Sequence, residues 1–198
     1  TEEARKNKFT ENLFSFNSKG GACNSCGGSG QKKIEMGFMP DMWITCPDCG
    51  GKRYNDKILN IKYKNKSISD ILEMSVDEAL SFFSEDIAVA GILSSMKKTG
   101  LGYIKLGQSA LTLSGGEAQR IKLSSELSND KTISTVYVLD EPSSGLHPAD
   151  VNRIADVFSE LTSRGNTVIA IEHNKEIICK ADHIIELGPE GGEKGGYL

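Results

Sequence analysis

With 198 residues, 38% of them hydrophobic and 25% charged, the chain has the composition of an ordinary globular protein, long enough to bury a core in one or two domains. No apolar stretch approaches a membrane span, and Thr1-Glu2-Glu3-Ala4-Arg5 carries no signal-peptide pattern. A net charge of −4 does not advertise nucleic-acid binding, so any such contact has to be local.

Residues 1–19 are polar and charged, with Phe9, Leu13, Phe14 and Phe16 as anchors, and read as a linker. Residues 20–54 hold two cysteine pairs, Cys23-x-x-Cys26 and Cys46-x-x-Cys49, separated by nineteen residues. That spacing is expected of a four-thiolate zinc site. Gly27-Gly28 and Gly50-Gly51 follow the pairs, and tight turns there would point two sulfurs each at one ion. Four thiolates leave a tetrahedral ion no open position, so the site should be structural. Such an ion contributes roughly 10–16 kcal/mol in small peptide modules, enough to hold a segment with few large apolar residues. Disulfides or redox pairs are the rival readings; the first lacks a secretory signal, and the second usually needs one CxxC near a βαβ unit.

Between the pairs, Gln31-Lys32-Lys33-Ile34-Glu35-Met36 and Phe38-Met39-Pro40-Asp41-Met42-Trp43 suggest a projecting hairpin. Its apolar residues either wedge against a partner or cap a miniature core, and the core reading is preferred. From Lys52 to Lys66, six basic residues (Lys52, Arg53, Lys57, Lys62, Lys64, Lys66) face Asp56 alone, with Tyr54 and Tyr63 interleaved. This stripe fits phosphate contacts with tyrosines stacked on bases. It equally fits the solvated face of a half-exposed strand, given the alternation of Lys57-Ile-Leu-Asn-Ile-Lys-Tyr-Lys64.

Residues 55–110 then continue into a small helical region. Ser69 and Ser75 each precede a short amphipathic helix, Ser75 with Glu78 fits a capping box, and a third helix spans Ile87 to Lys98. From residue 111 to 198 strands and helices alternate: a helix from Gly116 to Leu127, a strand from Thr135 to Leu139 and a helix from Pro148 to Arg164. A strand Thr167–Ile171, a helix near Lys175–Cys179 and a strand His183–Leu187 complete the pattern. It predicts an α/β fold with a largely parallel sheet, and Cys179 is expected to be a free core thiol.

The chemistry concentrates in two places. Leu113-Ser114-Gly115-Gly116-Glu117-Ala118-Gln119-Arg120 reads as a glycine turn opening a helix, whose free N–H groups and positive dipole end suit a phosphate. Val138-Leu139-Asp140-Glu141 ends an apolar strand on two carboxylates, where an α/β sheet usually places a magnesium ligand and a general base. Helix-cap or salt-bridge duty for Asp140 and Glu141 is disfavoured because the strand ends directly on both. Together the two motifs point to nucleotide chemistry. No G-x-x-x-x-G-K-[ST] stretch occurs; Gly51-Lys52 is followed by Arg53 and lacks the earlier glycine.

These residues resemble an ATP-binding-cassette ATPase, and more narrowly the C-terminal part of the UvrA family, the damage-recognition component of the ABC excinuclease. The likeness covers nearly the whole chain. It includes Phe14-Ser15-Phe16-Asn17, Cys46-x-x-Cys49-Gly-Gly-Lys-Arg-Tyr-Asn, Gly100-Leu101-Gly102-Tyr103-Ile104, Leu139-Asp140-Glu141-Pro142-Ser143-Ser144-Gly145-Leu146-His147, Ile171-Glu172-His173-Asn174 and Glu186-Leu187-Gly188-Pro189-Glu190-Gly191-Gly192. The fold it implies is the distal half of a cassette with an inserted zinc module and a small helical signature subdomain.

The resemblance also implies roles. Ser114, Gly115, Gly116 and Glu117 match the signature that contacts the γ-phosphate of ATP held by another nucleotide-binding domain. Asp140 matches the Walker B aspartate that supports Mg²⁺, Glu141 the carboxylate that orients or deprotonates the attacking water, and His173 the switch histidine. Ser143 to His147 match a loop that crosses to the partner site, while His147 and His183 receive no chemistry. Cys23, Cys26, Cys46 and Cys49 would hold Zn²⁺, and Lys32, Lys33, Lys52 and Arg53 would meet DNA phosphates. The implied parent is a cytoplasmic ATPase that recognises damaged double-stranded DNA, works as a homodimer with the excinuclease component UvrB, and has no membrane partner. Its Walker A would lie upstream of the zinc module. The chain, lacking an initial Met and stopping at Gly-Gly-Tyr-Leu, would be a fragment without ATPase activity of its own.

Pro142-Ser-Ser-Gly-Leu-His-Pro-Ala-Asp150 and Gln108-Ser-Ala-Leu111 depart from the usual repair pattern. They keep a second reading open, a UvrA-like paralogue associated with resistance to DNA-binding drugs. A transporter ATPase is a third, opposed by the cysteine insertion.

Overall fold

The computed structural model describes residues 1–18, 20–38, 41–128 and 134–188, which fall into two units. One comprises Thr1–Met74 with Lys105–Gly107; the other comprises Ser75–Ile104 and the chain from Gln108 onward. Lys19, Met39, Pro40 and the motif residues Pro189 to Gly192 lie outside the described residues.

In the first unit the expected linker is structured. Thr1 caps a helical turn, α1 (Glu2–Lys6), and a 3-10 turn covers Glu11–Phe14. The segment is pinned by side chains that follow the second cysteine pair: the buried Tyr54 hydroxyl donates to Phe14 O (2.7 Å), and the Arg53 guanidinium lies 5.2 Å over the Phe16 ring. The hairpin forms as expected, β1 (Gln31–Ile34) antiparallel to β2 (Met42–Thr45), with Lys33 opposite Trp43 and Lys32 opposite Ile44. Its apolar residues do not cap a core. Trp43, Met42 and Phe38 are 57%, 50% and 110% exposed, because two four-residue strands offer too little surface to bury them.

The expected basic strand after Lys52 is also corrected. Asn55 accepts from the Ile58 N–H and starts a helical turn, α2 (Asp56–Leu59). Ile58 and Ile61, three apart, are both buried, so the helical spacing overrides the apparent alternation. Lys64 and Asn65, both at positive φ, then form the tight turn that brings Tyr63 opposite Lys66. Helix α3 (Ile68–Leu72) is capped by Ser67 with Asp70 in a reciprocal box, two residues earlier than the expected cap at Ser69.

The second unit begins with α4 (Val76–Phe82), capped by the predicted Ser75–Glu78 box, and α5 (Ile87–Lys98). Helix α5 packs on α6 (Gly115–Leu127). Strand β3 (Val136–Asp140) pairs in parallel with β4 (Thr167–Ile171), Asp140 lying opposite Ile171. Between them in sequence runs α7 (Pro148–Ser163), and α8 (Lys175–Ile178) follows β4. Leu123 and Leu127 of α6 bury against Val157 and Leu161 of α7, with Tyr137 and Val168 of the sheet packed onto them. Each such side chain contributes roughly 1.5–3 kcal/mol. Val151, Ile154, Ala155 and Ile177 form a second cluster.

Among the described residues, only one face of the parallel pair is covered. Val136, Val138, Ile169 and Ile171 on the other are 50–67% exposed. The expected strand His183–Leu187 is absent: these residues join no ladder, and Ile184, Ile185 and Leu187 are exposed. Alternating apolar residues signal readiness to pair, but a strand also needs a neighbouring edge and a covering layer. Cys179 is a free thiol but exposed, since α8 ends at Ile178 and leaves it as the cap.

Candidate functional site

Each cysteine pair sits on a turn closed by glycines at positive φ, Gly27-Gly28 and Gly50-Gly51, where a side chain would strain the backbone. The turns bring the four sulfurs of Cys23, Cys26, Cys46 and Cys49 within 4.8 Å of one another. Cys26 Sγ and Cys49 Sγ are 3.7 Å apart. A tetrahedral Zn²⁺ with Zn–S of about 2.3 Å requires sulfur separations of about 3.8 Å, so the donor set fits such an ion. Burial raises the Cys26 thiol, but the Gly30 and Gly28 N–H groups and the neighbouring sulfurs bring it down to about 7. Cys49 is pushed by burial, and further by the Cys26, Cys46 and Cys23 sulfurs, up to about 12. The neighbouring thiols titrate as a set, and a cation among them would favour the ionised form of all four.

The four basic candidates near this cluster differ in their surroundings. Lys32 lies 3.6 Å from Asp48, Lys33 lies 2.6 Å from Asp41, and Lys52 is exposed. Arg53 is turned to an internal duty, donating to Gly107 O at 2.7 Å while stacking on Phe16.

In the second unit Ser114 caps α6. Its hydroxyl accepts from the Glu117 N–H (3.2 Å), and Glu117 Oε2 accepts from the Ser114 N–H (2.7 Å). The Tyr103 hydroxyl donates to Glu117 Oε1 at 2.6 Å. That bond, and after it the Ser114 N–H, holds the Glu117 carboxyl below its ordinary value; burial first, then the carboxylate, raises the Tyr103 phenol. The two glycines serve different ends. A Cβ on Gly115 would meet open space, whereas one on Gly116 would lie 2.8 Å from Ser144 O and 3.1 Å from Arg120 Nη1. Gly116 therefore lets the helix approach its own chain. Arg120, 1% exposed, completes that contact by donating to Ser144 O (3.0 Å) and Pro142 O (3.4 Å), its Nε lacking a protein partner.

Asp140 and Glu141 stand exposed at the carboxyl end of β3. Glu141 adopts φ +45°, rare for a residue with a long side chain, and its N–H donates to Ile171 O at 2.9 Å. Its Oε1 lies 3.7 Å from Nδ1 of His173, which follows β4. The two parallel strands thus deliver a carboxylate pair and an imidazole to one edge, an arrangement able to hold a cation and orient a water.

No model of a known protein family matches the chain. Individual relatives do. The UvrABC system protein A of Aquifex aeolicus is 55% identical over 198 residues, all of this chain and 21% of that protein. Its Thermus thermophilus counterpart is 53% identical over the same span and share. The crystal structure of UvrA2 from Deinococcus radiodurans is similar to the whole chain at a TM-score of 0.91 and 46% identity, over 24% of that chain. The chain belongs to the UvrA family. It spans about a fifth of the length of the curated UvrA relatives it matches.

Three residues of this UvrA segment were not singled out for roles in the sequence. Arg120 recurs with Leu123 and Leu127 on the inward face of α6, and a charge at such a position signals a buried partner. Glu172 ends an apolar strand on an acid, the same signal carried by Asp140-Glu141, and accepts hydrogen bonds from three backbone N–H groups. Tyr103 gave no local signal; its tie to Glu117 is tertiary.

Proposed function

We propose that this segment belongs to a DNA-binding ATPase that recognises damage in nucleotide excision repair, with ATP hydrolysis driving association and release of nucleotide-binding domains. The approach of Glu141 and His173 to 3.7 Å beside Asp140 carries the ATPase reading. In it, Asp140 supports Mg²⁺, which when bound neutralises charge on the phosphates; Glu141 orients the attacking water, and His173 stands near the γ-phosphate. The N-terminal turn of α6, Ser114 to Glu117, faces a nucleotide held by another domain. Zn²⁺ on Cys23, Cys26, Cys46 and Cys49 is structural, its four thiolates leaving no site for substrate. Lys32, Lys33 and Lys52 meet DNA phosphates, with Arg53 supporting them from its contacts to Phe16 and Gly107. Removing Lys52 should lower the salt dependence of duplex binding by about one unit of slope, and an unchanged slope would remove it from the interface. A homodimer acting with the excinuclease component UvrB in the cytoplasm completes this reading.

The decisive variant is Glu141→Gln in a full-length UvrA carrying this segment. It should bind ATP and hydrolyse it slowly; turnover at the wild-type rate would remove Glu141 from its role. A UvrA-like paralogue is the second reading, favoured by the likeness to UvrA2. Binding of the full-length protein to matched lesion-bearing and undamaged duplexes separates the two, since preference for the lesion is required of a repair protein.

A further inference from the structure

We propose that Glu172 is a positioning residue, tying the loop after the Asp140–Glu141 pair to the segment that bears His173 so that the imidazole stays beside Glu141. The inference rests on the ATPase reading above. Strand β4 ends at Ile171, and its carbonyl already receives the Glu141 N–H at 2.9 Å. The next side chain adds a second tie. Glu172 Oε1 accepts from the Ser143 N–H at 2.8 Å, while Oε2 accepts from the N–H groups of His173 (3.2 Å) and Asn174 (3.3 Å). One carboxylate thereby satisfies donors on both sides of the His173–Glu141 approach. Hydrogen bonds to an ionised acceptor are the stronger kind, and both oxygens are used.

The chain around these bonds is committed at both ends. Ser144 N–H donates back to Glu141 O at 2.9 Å, and the Asn174 side chain caps α8 by accepting from the Glu176 N–H. Without the carboxylate, the N–H groups of Ser143 and His173 lose a common acceptor, and nothing else described links Ser143 to His173 directly. An amide at position 172 offers one acceptor and turns a donor toward the opposing N–H, so glutamine retains one side of the bridge only. A methylene less, as in aspartate, shortens the reach from β4 toward Ser143.

The test is steady-state ATP hydrolysis by full-length UvrA carrying this segment, with Glu172→Ala, Glu172→Gln, His173→Ala and the double variant Glu172→Ala/His173→Ala. Glu172→Ala should lower kcat about tenfold, with KM for ATP changed less than about twofold. Glu172→Gln should fall between it and wild type. If Glu172 acts through the imidazole, removing it from the His173→Ala protein should cost nothing further. Additive losses in the double variant, or a raised KM with kcat intact, would overturn the proposal. Should Glu172→Ala fail to fold, Glu172→Gln carries the same cycle, and faster amide exchange at Ser143 and His173 is the accompanying sign. Glu141→Gln in the same series tells the two readings apart: wild-type turnover there sinks the ATPase reading, whereas slow turnover there with unimpaired Glu172 variants sinks this inference alone.

Discussion

Gly115 and Gly116 are neighbours on one helical turn but answer to different constraints. The space around Gly115 is open, so alanine there removes conformational freedom from the unfolded chain without a clash and should stabilise by a few tenths to about 1 kcal/mol. The same change at Gly116 pushes a methyl toward Ser144 O, 2.8 Å from the ideal position, and should destabilise by about 1–3 kcal/mol. Urea midpoints of the two variants check this; equal shifts would mean that α6 does not approach the Pro142–Ser144 loop as described. Both glycines were legible as a turn opening a helix, but only the three-dimensional approach of residue 144 distinguishes them. Arg120 illustrates the same boundary. Its helical spacing with Leu123 and Leu127 is visible in sequence, whereas the two carbonyls that receive its guanidinium are 22 and 24 residues away.

Elements with strong sequence signals matched expectation, and the misses fell where a weak alternation or a missing neighbour decided the outcome. Helix α5 carries its cap, its apolar positions and its stop, and its bounds agree with those read from the sequence. The β1–β2 hairpin and the Thr167–Ile171 strand were equally legible. The residues after Lys57 alternate like a strand, yet Asn55 initiates a helical turn, because a capping side chain decides locally what a weak alternation leaves open. His183 to Leu187 fail in the opposite way, with strong β character and no partner edge among the described residues. The cysteine turns are the extreme of dependence, for little apolar surface surrounds them. Chelating zinc from a full-length UvrA carrying this segment should therefore release the hairpin, increasing proteolysis between Cys26 and Cys46, and Cys46→Ala should do the same without chelator. Undiminished protection after verified metal loss would make the thiol cluster a passive core.

At the scale of the whole molecule, the parallel pair leaves one apolar face open among the described residues. Val136, Val138, Ile169 and Ile171 present a contiguous apolar surface on the strands that also deliver Asp140, Glu141 and His173. The 198-residue sequence has carboxylates, an imidazole and the Ser114–Glu117 turn, but no G-x-x-x-x-G-K-[ST] loop to cradle a triphosphate in its own domain. We expect negligible ATP turnover by the purified chain. Robust hydrolysis that disappears in Glu141→Gln would show that these residues suffice. The fold class and the four thiolates were legible because periodicity and spacing are local properties. The half-covered sheet was not, since a burial pattern says which residues seek cover and not what supplies it.

If Glu141 acts as proposed, its left-handed backbone sets selection for activity against selection for durability. Asparagine tolerates φ +45° better than glutamate, and glycine tolerates it freely, so either replacement would relieve about 1 kcal/mol of strain while deleting the carboxylate. Glu141→Asn or Glu141→Gly should therefore melt higher than the wild-type protein. Under the role proposed for Glu141, random mutation screened for robustness alone would thus drift toward a sturdier molecule with slower ATP turnover.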